Sequence, residues 1–128
     1  MGFTKNIIST DKAPAAVGTY SQGVEHNGTF FFSGQIGLDP KTMTMPEDFQ
    51  GQIDQIMKNI DGLLESQDIT REHIIKTSIF VTDLGMFGLV NEAYIKYFSE
   101  PYPARSCVEV PNLPKGALVE IEVIAAKG

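Results

Sequence analysis

The segment from Leu118 to Ala125 constrains the fold of this chain more than any other. Val119, Ile121, Val123 and Ala125 alternate there with Leu118, Glu120, Glu122 and Ile124. Side chains of a strand point to opposite faces with a period of two, so this is a strand with one wholly apolar face. Its other face mixes two carboxylates with Leu118 and Ile124, so that face is not plainly solvated. A second alternation precedes it, in which Ala104, Ser106, Val108 and Val110 interleave with Arg105, Cys107 and Glu109. Pro111 and Pro114 mark the loop between the two segments. On this reading Arg105 and Glu120 stand on neighbouring strands, each opposite its strand's apolar set. A guanidinium can grip a carboxylate through two parallel hydrogen bonds, and a glutamate can move a proton or orient a water. The pair therefore suits a small anionic substrate. Spacing alone favours a plainer reading, a surface salt bridge worth about 0–1 kcal/mol.

The remaining chain supplies the partners of these strands. Lys5 to Ser9 reads as a short first strand, followed by a loop marked by Pro14 and Gly18. Gln22 to His26 and Thr29 to Ser33 flank Asn27-Gly28, the dipeptide most favourable to a two-residue hairpin. Phe30, Phe31 and Phe32 in a row suggest a strand covered on both faces. Ser33 to Pro46 is rich in Gly, Pro, Asp and Thr and reads as loop. Pro46, Glu47 and Asp48 suit the start of a helix, and Phe49, Ile53, Ile56, Met57, Ile60, Leu63 and Leu64 follow at helical spacing. That stripe is a core-facing surface rather than a cofactor box. Thr70 caps a brief turn through His73, and Ile74 to Val81 is a strand. Met86, Phe87, Val90, Ala93, Tyr94, Tyr97 and Phe98 form a second helical stripe, which Pro101 and Pro103 terminate. The resulting order, β-ββ-α-β-α-β-β, is α+β: one mixed or mostly antiparallel sheet with two helices on one face. The other face retains apolar residues, and a subunit with such an uncovered face is expected to oligomerise.

With 128 residues the chain is read as a single domain, residues 1–128, long enough to bury one real core. Its formal charge of −6 disfavours a nucleic-acid partner, because that affinity rests on Lys and Arg at phosphates. The segment MGFTKNIIST lacks an apolar stretch of signal-peptide length, and the longest apolar runs are too short to span a bilayer. A cytoplasmic location is expected, with no membrane contact.

Other candidate motifs fail on chemistry. Gly34 to Thr42, GQIGLDPKT, lacks the Gly-Lys-Ser/Thr ending of a phosphate loop and carries Pro40 where a backbone donor is needed. Gly18 to Gly23 is no nucleophile elbow, since Ser21 falls one place late. His26 and His73 are read as solvated, and two histidines with one cysteine make a poor zinc set. Cys107 has no base near it in sequence, so it is read as a small, partly buried strand residue.

The segments YPARSCVEV and LPKGALVEIEVIA resemble the C-terminal signature of the reactive intermediate deaminase family, RidA, also called YjgF or L-PSP. APAAVGTYSQGV resembles the family's N-terminal loop, FFFSGQIGLDPKT its second strand and following turn, and VNEAYIKYF its second helix. Four separated segments agree in the right order, and the likeness spans nearly the whole chain. The resemblance implies a chorismate-mutase-like subunit assembled as a homotrimer with clefts between subunits. It implies hydrolysis of enamines and imines such as 2-aminoacrylate to 2-keto acids and ammonia, with no cofactor. Carried over by position, Arg105 clamps the substrate carboxylate, Glu120 positions or activates water, and the Cys107 backbone helps bind substrate. Tyr20, Ser33 and Asn91 line the cleft. Thr19 stands where the family often has proline, which bears on the loop presenting Tyr20. Two other readings remain: a ribonuclease or translation inhibitor, and a non-catalytic trimer that binds a metabolite or a protein.

Overall fold

A computed structural model describes residues 3–128. Six strands form one mixed sheet: β1 Asn6–Ile8, β2 Gly23–His26, β3 Thr29–Phe32, β4 Ile74–Val81, β5 Ala104–Glu109 and β6 Val119–Ala126, in the spatial order β1-β2-β3-β6-β4-β5. Helices α1 (Phe49–Ser66) and α2 (Phe87–Tyr97) cover one face. The expected α+β order is therefore present.

Local chemistry explains most element boundaries. Asn27 and Gly28 both adopt positive φ, 51° and 82°, which is the turn geometry that matches strand twist in a two-residue hairpin. The stripe of α1 is buried from Phe49 to Leu64, and each large apolar side chain so buried contributes about 1.5–3 kcal/mol. Residues Pro46 and Glu47 lie ahead of that helix rather than in it. Asp48 is the N-cap in extended conformation, so the helix begins at Phe49. Thr70 and His73 form a reciprocal capping pair around the 3₁₀ turn Arg71–His73. Between β4 and β5, helix α2 makes the crossover that parallel neighbours require. Every other strand pairing among the described residues is antiparallel.

The core lies between the helices and the sheet. Ile8, Phe30, Phe32, Ile79, Val81, Val119, Ile121, Val123 and Ala125 supply the sheet side. The opposite face carries Phe31 paired with Ile124, and Phe80 paired with Glu120 on one side and Val108 on the other. Phe31 is 50% exposed and Val108 47%. The Phe30–Phe32 run is thus covered on one face only within a single chain, contrary to the two-sided cover its composition suggests. Edge strand β5 is equally open: every residue but Cys107 is exposed. An apolar open face beside a regular open edge is a surface that proteins normally cover. No helix among the described residues is long and apolar enough to cross a membrane.

Candidate active site

Glu120 sits at one end of the uncovered face, in a cleft of about 410 Å³ whose walls include Tyr20, Ser33, Gly34 and Lys115. Three segments build it. The first is the Thr10–Gln22 loop, fixed by the buried side chain of Gln22. Its amide oxygen accepts from Thr10 N at 2.6 Å, and its Nε2 donates to the carbonyls of Thr10, Ala13 and Pro14 at 2.9, 3.2 and 2.8 Å. The second is the chain after β3. Gln35 continues the ladder beyond the strand, exchanging both backbone hydrogen bonds with Ile121 at 2.8 and 3.0 Å. What composition marks as loop therefore starts as an extension of the sheet. The third is the 3₁₀ turn Pro114–Gly116, which precedes β6.

Within this cleft the polar groups have distinct states. Ser33 Oγ donates to the Ser21 carbonyl at 2.6 Å, which leaves its oxygen lone pairs free to accept. Tyr20 Oη only accepts a long bond, 3.4 Å, from Val17 N, so its proton is free to donate. Among the described residues no donor reaches the Glu120 carboxylate. Burial, and then the Glu122 carboxylate, push Glu120 above the ordinary carboxylate range. A Cβ on Gly34 would collide with Glu120 Oε2, so any larger residue there displaces the carboxylate from this position.

Arg105, Asn91 and Cys107 form a second group. Arg105 Nη1 donates to Asn91 Oδ1 at 2.7 Å, and the guanidinium lies 5.1 Å from the Phe87 ring centroid and 5.0 Å from that of Tyr94. Phe87, Asn91 and Tyr94 recur every three or four residues on α2, so one helix face supplies the whole cradle. Tyr94 is anchored by a buried hydrogen bond to Thr77 on β4. Cys107 packs against the core, and burial pushes its thiol up against a smaller opposing pull from Arg105.

The two groups do not meet within one chain. Strand β4 lies between β5 and β6, so Arg105 and Glu120 are not on neighbouring strands as their sequence pattern suggests. Thr77, Ile79 and Val81 of β4 point into the core opposite Arg105, Cys107 and Glu109, which puts Arg105 on the helix side of the sheet. Glu120 pairs with Phe80 on the other side. The salt-bridge reading fails for the same reason: the ion pairs among the described residues are Lys12–Glu65 and Arg71–Asp61. Neither histidine is simply solvated. His26 Nδ1 bonds the Thr4 carbonyl at 2.6 Å and its ring stacks on Phe3, while His73 Nδ1 accepts from Thr70 N at 3.1 Å.

Known proteins share this architecture. The Endoribonuclease L-PSP family profile matches residues 10–127. The chain belongs to the L-PSP (RidA) family. It is 48% identical to a RutC family protein of Aquifex aeolicus, over 94% of this chain and 98% of that protein. It is 44% identical to a 2-iminobutanoate/2-iminopropanoate deaminase of Salmonella typhimurium, over 94% of this chain and 96% of that protein. The crystal structure of RidA from an Antarctic Psychrobacter superposes with a TM-score of 0.93 at 46% identity, covering 95% of this chain and 99% of that one. In this L-PSP fold Tyr20, Ser33 and Glu120 line one cleft and Asn91, Arg105 and Cys107 form the second group, while Gln22, Phe87, Tyr94 and Thr77, which the sequence does not single out, hold these side chains in place. Gln22 looked like any strand-edge amide. Phe87 and Tyr94 were visible only as members of an apolar stripe, since nothing in that stripe marks which ring faces a cation.

Proposed function

We propose that the chain is a deaminase that hydrolyses small 2-imino acids and their enamine tautomers, such as 2-aminoacrylate, to 2-keto acids and ammonia. It acts as a cytoplasmic homotrimer whose sites are shared, with Arg105 from one subunit and Glu120 from its neighbour. The observation that carries this reading is the division itself. A carboxylate grip and a donor-free carboxylate lie on opposite faces, each beside surface that a single chain leaves open, in a chain 44% identical to a named imine deaminase. A second copy is the simplest source of the missing half.

The chemistry follows from the states of the groups. Arg105 holds the substrate carboxylate, and the Phe87, Asn91 and Tyr94 cradle fixes the fork before substrate arrives. Glu120 accepts a proton from water as the water oxygen adds to C2 of the imine, and passes that proton to nitrogen to give the carbinolamine. A second transfer moves the new hydroxyl proton to the same nitrogen as the C–N bond breaks and C=O forms. One water is consumed, and one keto acid and one ammonia leave. The raised pKa brings Glu120 closer to the operating pH, where an acid/base group is most effective. Ser33 Oγ is placed to accept from a substrate N–H or from the attacking water, and Tyr20 Oη to donate. No step calls for a cofactor.

The test is steady-state deamination of imines generated in the assay. Loss of a charge-assisted hydrogen bond costs about 1.5–3 kcal/mol, so Arg105→Lys lowers kcat/KM by about ten- to two-hundredfold, and Arg105→Ala lowers it further. Glu120→Gln lowers kcat while pyruvate binding, read by calorimetry, changes little. Near-wild-type turnover in both Arg105→Ala and Glu120→Gln ends the assignment. The ribonuclease reading is disfavoured by the charge of −6 and by histidines already engaged with backbone groups.

A further inference from the structure

Of the four non-glycine residues with positive φ among those described, Asn27 turns the hairpin and Asp68 follows the end of α1. The other two, Met43 (φ 57°) and Lys115 (φ 56°), both line the Glu120 cleft. A bulky side chain in the left-handed region is uncommon, and backbone held there against its preference concentrates at ligand sites. Met43 is held by a closed turn: its N–H donates to the Asp39 carbonyl at 2.7 Å, Asp39 N donates to the Thr44 carbonyl at 2.9 Å, and Asp39 Oδ1 accepts from Lys41 N at 2.8 Å.

The segment carrying Met43 is also fastened to α1. The buried Asn59 donates to the Leu38 carbonyl at 2.9 Å and to that of Ile36 at 3.4 Å. Gln52 Nε2 donates to the Pro46 carbonyl at 2.8 Å. A Cβ on Gly37 would come within 2.8 Å of Gln52 Cα, so loop and helix backbones are in direct contact. Val17, Ile36, Leu38 and Met43 thus form an apolar wall of the cleft that holds Glu120, and at least Ile36 and Leu38 have little freedom to withdraw.

We propose that this wall is the side-chain subsite of the enzyme, that it selects 2-imino acids with extended apolar side chains over the smallest ones, and that Met43 is the residue that sets the preference. This rests on the deaminase reading above. The lining of the cleft beyond Glu120 is mostly hydrocarbon. A flexible thioether adapts to linear and branched chains alike.

The experiment compares imines generated in the assay from alanine and from leucine by an amino-acid oxidase. Wild type is expected to show the higher kcat/KM for the leucine-derived imine. Because one or a few apolar groups in a pocket are worth about 10–200-fold in discrimination, Met43→Ala lowers kcat/KM for the leucine-derived imine by about tenfold or more, mainly through KM, and changes the alanine-derived value by less than about twofold. Met43→Leu restores the preference. Met43→Gly, which relieves the positive φ, raises Tm yet loses the preference, an outcome that a purely structural role does not give. An unchanged substrate ratio in Met43→Ala overturns the proposal while leaving deamination intact. If wild type turns over neither imine, the deaminase reading has failed, and calorimetry still reads the subsite. Tighter binding of 4-methyl-2-oxopentanoate than of pyruvate, lost in Met43→Ala, supports it; equal binding of the two overturns it.

Discussion

The Arg105 region and the Glu120 region handle charge in opposite ways. Arg105 is exposed and surrounded by partners: an amide oxygen at 2.7 Å and two ring faces about 5 Å away. Glu120 is partly buried, carries a neighbour of like charge, and meets no donor among the described residues. The first group is finished before a ligand binds, whereas the second is kept poor in interactions. A guanidinium remains charged in any setting, so the fold needs only to fix its direction. A carboxylate that is to serve as an acid/base group must change its protonation, so what matters is how weakly its charged form is stabilised. The sheet places these two requirements on opposite faces.

The sharpest way to break this comparison is to mix subunits. Arg105→Ala and Glu120→Gln preparations are each expected to be nearly inactive. Refolded together at equal ratio, they form mixed rings in which a wild-type site arises wherever an intact arginine faces an intact glutamate. Random assembly of a cyclic trimer then restores about a quarter of the wild-type sites. A site contained in one chain recovers nothing, and a turnover assay on the mixture decides between the two.

A smaller effect sharpens the Arg105 side. Asn91→Ala removes the fork's amide partner but leaves its charge. The expected result is a rise in KM of about three- to tenfold with kcat within about twofold, since a net hydrogen bond is worth about 0.5–1.5 kcal/mol. A fall in kcat alone, with KM unchanged, shows that Asn91 does more than aim the arginine.

Glu120 supplies a test by stability rather than rate. Its pKa in the folded chain is raised, so folding favours the protonated form. The stability this group contributes is therefore present below the unfolded glutamate pKa and is lost as pH rises through the folded value. Glu120→Gln, which cannot ionise, is expected to melt above wild type at neutral pH, and the two curves converge as pH falls below the ordinary glutamate range. A variant that melts below wild type at pH 7 shows that the carboxylate is stabilised, not penalised, by its site. The smallest effect is expected at Cys107. Cys107→Ser retains turnover within about threefold, because burial raises the thiol pKa and the thiolate is the reactive form. Complete inactivation with assembly intact assigns the sulfur a direct role.

Much of this molecule is settled by local sequence. The Asn27-Gly28 turn follows from side chains that tolerate positive φ, the α1 stripe from a 3.6-residue period, and β4 from β-branched residues at Ile74–Val81. What local pattern leaves open is pairing and facing. Period two in β5 separates Arg105 from Val108 but does not say which of them meets the helices. The apolar set of that strand turns out to face away from its own core, because β5 lies at a sheet edge and turns Arg105, Cys107 and Glu109 toward the helices. Strand order is likewise a long-range matter. The α2 crossover sets β5 parallel beside β4, and β4 then pairs antiparallel with β6, so the arginine and the glutamate that look adjacent in sequence are parted by a strand and by the thickness of the sheet. The same holds for the Ser33–Pro46 segment. Its composition says loop, but hydrogen bonds to Ile121, Asn59 and Gln52 turn it into a fixed wall, because buried backbone groups must find partners wherever the fold brings them.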